Sequence, residues 1–121
     1  MSTRAHVRVQ NEYGHISLYC HCDGYPSGLG MVLKRYLSTF PPHFCEADWI
    51  AWKLVTGDIE DDFFPAHIIQ PTTCLHGDEA YVYVVDADKR TVVCYEHYMD
   101  ETFEECCIPK RRRIIREYKR K

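Results

Sequence analysis

Long hydrophobic runs are absent from this sequence, and so is an apolar segment at its start. No stretch of the 121 residues reaches the roughly 20 apolar residues that a membrane-spanning helix needs. The opening residues, Met-Ser-Thr-Arg-Ala-His-Val, do not form the apolar core of a signal peptide. We therefore expect a cytoplasmic protein that does not engage a membrane.

The sequence also lacks the motifs of the common nucleotide, cation and cysteine-protease sites. No Gly-Lys-Ser or Gly-Lys-Thr is present, and Gly24, Gly28 and Gly30 do not have the spacing of a dinucleotide-binding fingerprint. The acidic run at 58–62 has neither the spacing nor the loop glycine of an EF-hand. No protease signature surrounds any cysteine. These motifs therefore assign no catalytic activity to the sequence.

Paired cysteines at zinc-finger spacing are missing, although the chain has seven cysteines. An odd number of cysteines without an export signal favours reduced thiols over disulfides. Structural zinc sites use ligand pairs two to four residues apart, repeated once along the chain. We therefore predict no cofactor and keep zinc as the alternative. Its candidate ligands are Cys20, Cys22, Cys74, His76, Cys106 and Cys107.

The two signs of charge are distributed unevenly along the chain, whose formal net charge is −3. Residues 110–121 hold eight of the 15 basic residues and one of the 18 acidic residues, a net charge of +7, which leaves −10 on the rest. Such a basic segment can bind nucleic-acid phosphates, contact an acidic protein surface, or remain solvated. The candidate contact residues are Arg111, Arg112, Arg113, Arg116, Lys119 and Arg120.

Apolar residues at two periods predict the secondary structure. Alternation predicts β-hairpins over 5–22 and 80–96, and places Val7 and Val9 on one face of a sheet. Helical spacing predicts helices over 28–40 and 46–55. In the second helix, Trp49 and Trp52 share a face, as core or groove-lining residues do.

The order of these elements predicts the fold class. Strands at both ends with helices between them indicate an α+β fold, with one antiparallel sheet of about four strands and two helices packed on one face. We predict a single α+β domain over 1–109, followed by a basic C-terminal tail over 110–121.

The richest local pattern is residues 19–30, Tyr-Cys-His-Cys-Asp-Gly-Tyr-Pro-Ser-Gly-Leu-Gly. Glycine amides at a helix start can form an anion-binding nest, and an aromatic ring there can stack on a base. His21 and Asp23 are candidates for an acid–base pair. In the structural alternative, Asp23 forms an Asx turn and Ser27 caps the helix. The candidate ligand-binding residues are Asp23, Gly24, Tyr25, Ser27, Gly28 and Gly30.

This pattern resembles a family of small proteins encoded by tailed phages and prophages. The family has a Tyr-x-His-x-Asp-Gly-Tyr block after an N-terminal hairpin, here residues 19–25. The run Leu-Val-Thr-Gly-Asp-Ile at 54–59 is similar to its second block, and the resemblance covers about residues 4–96. Cys22 departs from the pattern, which more often has tryptophan there, and the basic C-terminal segment is not part of it.

The resemblance implies a phage-type accessory protein and no particular activity. We expect a non-enzymatic protein in the host cytoplasm that binds a host protein or nucleoprotein complex, with counter-defence such as anti-CRISPR or anti-restriction activity as one form. Two alternatives stay open. One is a nucleotide-binding or small-anion-binding protein, or a hydrolase, that uses the 23–30 loop. The other is nucleic-acid binding through the basic tail.

Overall fold

The structure is a computed structural model that describes residues 3–39, 47–56, 69–73, 76–96 and 113–119. The chain begins with strands β1 (Ala5–Asn11) and β2 (Gly14–Cys20). A π-helical turn (Pro26–Gly30) then leads into helix α1 (Met31–Thr39), and helix α2 (Ala47–Thr56) follows. The remaining elements are strands β3 (Ile69–Pro71), β4 (Tyr81–Asp86), β5 (Thr91–Glu96) and β6 (Arg113–Lys119). Both predicted hairpins and both predicted helices are present.

The strands form one six-stranded sheet in the order β3-β2-β1-β4-β5-β6. The α+β class is confirmed, but the prediction of an antiparallel sheet of about four strands is wrong, because β1 and β4 pair in parallel and two further strands extend the sheet. Parallel pairing needs a long crossover connection, which the helices and β3 supply between the two hairpins. With three residues, β3 is too short to give an alternation signal.

The segment predicted to be a basic tail contributes to this sheet. Strand β6 lies within residues 110–121 and pairs antiparallel with β5 at the edge of the sheet. Residues 113–119 of this segment are therefore held in the fold by their backbone pairing with β5.

The hydrophobic core lies between one face of the sheet and the two helices. Val7 and Val9 share this face, as predicted, and the register places Val7 beside Leu18 of β2 and Tyr83 of β4. Both helices join the same core cluster through residues such as Leu33 and Ile50. The prediction that two helices cover one face is therefore confirmed.

The start of the first helix differs from the prediction. The helical backbone begins with the π-helical turn at Pro26, and Tyr25 stands at the N-cap position without a side-chain hydrogen bond to the turn. Ser27, the predicted cap, lies inside the turn and is exposed. Proline fits the first position because it has no amide N–H to leave unpaired there.

The turns of the two hairpins lie at the same end of the sheet, because β1 and β4 run in parallel. In the first turn, the Asn11 side-chain oxygen accepts hydrogen bonds from the amides of Tyr13 at 2.9 Å and Gly14 at 3.2 Å. The Glu12 amide donates to the Asp88 carboxylate of the second turn at 2.7 Å. These bonds fix the shape of the first turn and join it to the second.

The face of the sheet opposite the helices, here called the outer face, is buried at its centre. His6 pairs in register with Tyr19 of β2 and Val82 of β4, and all three side chains are buried. The fully buried glutamate Glu79 and the buried His6 show that this side of the molecule also holds polar side chains away from solvent.

Candidate functional site

Backbone amides of the glycine-rich loop at 23–30 donate hydrogen bonds to carbonyl groups of the same chain. The amide of Gly24 donates to the Thr3 carbonyl, that of Gly28 to the Tyr25 carbonyl, and that of Leu29 to the Asp23 carbonyl, each at 2.9 Å. An anion-binding nest needs such amides to point at the ligand. Because these three amides are already paired within the chain, the geometry of the loop favours a structural role.

Two of the loop glycines are required by close packing. A Cβ atom on Gly24 would lie 2.6 Å from the Cβ of Ala5, and one on Gly28 would lie 2.5 Å from the Asp23 carbonyl oxygen. The buried Tyr83 hydroxyl donates to the Gly24 carbonyl at 2.7 Å and so fixes the loop to β4. Gly30 is buried at the end of the π-helical turn. The glycines therefore let the chain pass closely over the edge of the core.

His21 and Asp23, the predicted acid–base pair, form hydrogen bonds with different neighbouring residues. Strand β2 ends at Cys20, so the alternation that would place the two side chains on one face does not continue. The His21 Nε2 atom lies 2.7 Å from the Gln70 side-chain oxygen. Asp23 adopts a left-handed backbone with φ of +57° and accepts a 3.3 Å hydrogen bond from the Tyr25 hydroxyl. The structure does not assemble an acid–base pair from these residues.

Tyr25 lies partly on the surface, with 39% of its side chain exposed. The nearby Asp23 carboxylate raises the pKa of Tyr25, and partial desolvation adds to this shift. Its ring is therefore neither a core residue nor an activated acid–base group.

The candidate zinc ligands Cys20 and Cys22 do not form a thiolate pair. Cys20 is fully buried, and its thiol donates to the Cys22 carbonyl at 3.0 Å. Burial raises the pKa of Cys20 to about 12, and burial followed by the Asp23 charge raises that of Cys22. Both thiols are therefore protonated at neutral pH in the metal-free protein. Cys74, Cys106 and Cys107 lie outside the described residues.

No group of three or more metal-ligating side chains occurs within the described ranges. His76, the remaining zinc candidate, stacks on the Tyr19 ring with centroids 3.8 Å apart, and its Nε2 lies 3.0 Å from the Thr72 hydroxyl. His76 is therefore part of a packing arrangement on the outer face.

That arrangement, here called the Tyr19 clasp, consists of Arg4, Tyr19, His76, Asp78 and Glu79. The Tyr19 hydroxyl lies 2.9 Å from each Asp78 carboxylate oxygen, and the Arg4 Nε lies 3.3 Å from one of them. The Glu79 carboxylate accepts the amides of His76 at 2.8 Å and of Gly77 at 2.7 Å. These contacts fasten the connection before β4 to the sheet. Sequence reasoning missed them, because residues 58–78 show no periodicity.

The chemistry of the Tyr19 clasp is that of a fixed structural cluster. Burial raises the pKa of Tyr19 to about 12, and the hydrogen bond to Asp78 and its negative charge add to the shift. The phenol therefore stays protonated at neutral pH and donates to the carboxylate. It is poorly suited to act as a base.

A more accessible feature is a groove between the β1–β2 turn and the start of α2. It has a volume of about 310 Å³ and is lined by Asn11, Tyr13, Gly14, His15, Ile16, Ala47 and Asp48. Tyr13, at the tip of the turn, is 89% exposed, and Trp52, one helical turn beyond Asp48, is 55% exposed. Large aromatic side chains left this exposed beside a groove are typical of a binding surface.

The charges at this groove come from few side chains. Asp48 is its lining carboxylate and is exposed. Partial desolvation and the nearby Arg8 lower the pKa of His15, so its ring is neutral at pH 7. Outside the lining, the Lys53 ammonium lies 5.0 Å from the centroid of the Trp52 ring. Among the described residues of the lining, the negative charge at neutral pH is therefore that of Asp48.

The sequence did not signal this groove. Spacing predicted a core or groove-lining role for Trp49 and Trp52, but neither is among the lining residues, and Trp52 is the more exposed of the two. Tyr13 gave no signal beyond its place in a turn. The groove brings together two segments more than 30 residues apart, 11–16 and 47–48, so no local pattern could reveal it.

The basic residues proposed for nucleic-acid or partner contacts fall into two groups. Arg113, Arg116 and Lys119 lie in β6, while Arg111, Arg112 and Arg120 lie outside the described residues. Their predicted role remains a prediction. In the described ranges, neither helix has the length and apolar character needed to cross a membrane.

Comparisons with models of protein families, with curated proteins and with solved structures found no match to this chain. The resemblance to a phage family therefore remains a prediction. The physical basis for a function lies in the fold and in the groove.

Proposed function

We propose that this protein is a non-enzymatic binding protein that holds a segment of a partner protein in the groove between the β1–β2 turn and α2. The observation that carries the proposal is the exposure of Tyr13 and Trp52, 89% and 55%, beside that groove. Aromatic residues of this kind supply most of the binding energy in many protein interfaces, where a partner buries them.

The open form of the groove favours a protein segment over a small molecule. Small-molecule sites are usually enclosed clefts, whereas this groove, with a volume of about 310 Å³, is half open to solvent. A volume of this size suits one anchoring side chain of a partner. A stable interface buries roughly 800 Å² per partner, so the contact would extend along α2 to Trp52.

Three features support binding over catalysis. The loop at 23–30 pairs its amides internally, His21 and Asp23 contact different neighbours, and the Tyr19 phenol and Cys20 thiol stay protonated at neutral pH. These groups are thereby engaged in contacts within the described part of the chain. The resemblance to phage accessory proteins supplies the proposed setting, in which the partner is a host protein or nucleoprotein complex and the effect is counter-defence.

Affinity capture with matched variants tests this function. The tagged protein is incubated with bacterial host lysate beside two double variants, Tyr13→Ser with Trp52→Ser, and Tyr25→Ser with Met31→Ser. Tyr25 and Met31 are also exposed, at 39% and 43%, but lie outside the groove lining. We expect one defined partner with the wild type and with the Tyr25/Met31 control, and its loss with the groove variant.

Circular dichroism and thermal unfolding establish that both variants remain folded, which is expected because all four side chains are exposed. Equal capture by the two variants, or recovery of background proteins alone from every sample, would contradict the proposed function.

A further inference from the structure

Asp48 gives the groove a definite charge preference. It is the carboxylate among the described lining residues, it is exposed, and no ion pair joins it to another residue in the described ranges. It lies in the first turn of α2, where the helix dipole contributes about half a positive charge and stabilises a carboxylate. A full negative charge outweighs that half-charge, so the groove favours a cationic group.

Tyr13 supplies the second half of a cation site. Its ring is 89% exposed at the rim of the same groove. A cation placed over an aromatic face gains about 0.5–1 kcal/mol at an exposed site. Lys53 already makes this kind of contact within the molecule, since its ammonium lies 5.0 Å from the Trp52 ring centroid. The Tyr13 ring offers a second aromatic surface, across the groove from α2.

The rest of the lining suits a long side chain with a polar end. Ile16 is half-buried and presents apolar surface along which a methylene stem can lie, while the buried Ala47 closes the groove beneath it. The Asn11 side-chain oxygen holds the amides of Tyr13 and Gly14 and so presets the position of the turn. A preformed turn lowers the entropy that binding must overcome.

We infer that the partner anchors itself in this groove through an arginine side chain, with its stem on Ile16 and its guanidinium between the Tyr13 ring and the Asp48 carboxylate. This inference rests on the proposed function. Arginine fits better than lysine because a planar guanidinium stacks on an aromatic ring while its fork of N–H groups donates to a carboxylate.

The test is a titration of the ¹⁵N-labelled protein with N-acetyl-arginine amide, followed by the backbone amide signals. We expect saturable shifts confined to residues 11–16 and 47–48. N-acetyl-citrulline amide has nearly the same shape without the charge and should cause no shifts there. N-acetyl-lysine amide should bind at least several-fold more weakly, because an ammonium does not stack as a plane.

Two charge variants separate a specific site from general electrostatic attraction. Asp48→Asn should lower the affinity for N-acetyl-arginine amide at least tenfold. Glu12→Gln removes an exposed carboxylate from the same turn but outside the groove lining, and should leave binding within twofold of wild type. Equal binding of citrulline and arginine, unchanged binding by Asp48→Asn, or equal losses in both variants would overturn the inference.

Failure of the inference and failure of the function are distinguishable. If lysate capture depends on Tyr13 and Trp52 but the arginine derivative does not bind the groove, the binding function stands and arginine is the wrong anchor. If substitution of Tyr13 and Trp52 does not change the capture, the proposed function itself fails, whatever the titration shows.

Discussion

Removal of one oxygen atom from Tyr83 should destabilise the whole protein. The Tyr83 side chain is fully buried in the core, and its hydroxyl donates to the Gly24 carbonyl at 2.7 Å. Tyr83→Phe keeps the ring and its packing but takes this donor from the buried carbonyl. A buried acceptor left without its partner costs about 1–3 kcal/mol, so we expect a loss of about 2 kcal/mol.

Urea unfolding followed by tryptophan fluorescence measures this loss. With a slope of about 1–3 kcal/mol per molar for a small protein, the midpoint should fall by about 1 M. Tyr81→Phe is the matched control, since Tyr81 is half-buried on the next core position of the same strand, and its effect should stay within about 0.5 kcal/mol. A Tyr83→Phe midpoint equal to that of wild type, or equal losses in both variants, would refute the role assigned to this hydrogen bond.

Three further predictions concern residues 19–27. Because the pKa of Tyr19 rises from 10.0 to about 12 on folding, the phenol stabilises the fold below pH 10 and this contribution is lost between pH 10 and about 12. Tyr19→Phe should flatten the decline in urea midpoint over that interval, and an unchanged decline would count against it. Peptide mapping after iodoacetamide treatment of the folded protein should show Cys22 alkylated well before the buried Cys20, with equal rates as the opposing result. Gly24→Ala should cost about 1–3 kcal/mol through overpacking against Ala5, whereas the exposed Ser27→Ala should be nearly neutral in thermal unfolding; similar melting temperatures would contradict this.

Local periodicity was sufficient for the two hairpins, the two helices and the buried face of the first hairpin. Alternation placed Val7 and Val9 on one face, as the structure has them, and helical spacing predicted the second helix, whose Ile50 and Leu54 lie in the core. These patterns work because a side chain's direction follows from its place in a strand or helix, whatever the element packs against. The short strand β3 gave no such signal.

Strand pairing across the chain could not be predicted in this way. The parallel ladder joins Ala5 to Tyr81 and Gln10 to Asp86, residues more than 70 positions apart. Both β1 and β4 also fit an antiparallel sheet by their alternation alone. The path of the chain through two helices and β3 decided the parallel arrangement, and it brought the two hairpin turns to the same end of the molecule.

The glycine-rich block at 19–30 shows the same difference between what the sequence predicts and what the tertiary structure decides. Its composition marked a tight strand-to-helix junction, and the structure has one. The sequence could not show that the Gly24 amide meets Thr3, or that the Gly24 carbonyl meets Tyr83 on another strand. Those contacts occupy the amide and the carbonyl of Gly24, and they make this part of the loop a component of the scaffold.

The sequence by itself determined the α+β class, the two hairpins, the two helices and the place of the glycine-rich junction, because each follows from interactions between residues close in the chain. The tertiary structure alone decided the parallel centre of the sheet, the Tyr19 clasp and the groove between Tyr13 and Asp48. Each of these needs distant segments to meet, and which segments meet is set by how the whole core packs. The proposed binding surface belongs to this second group.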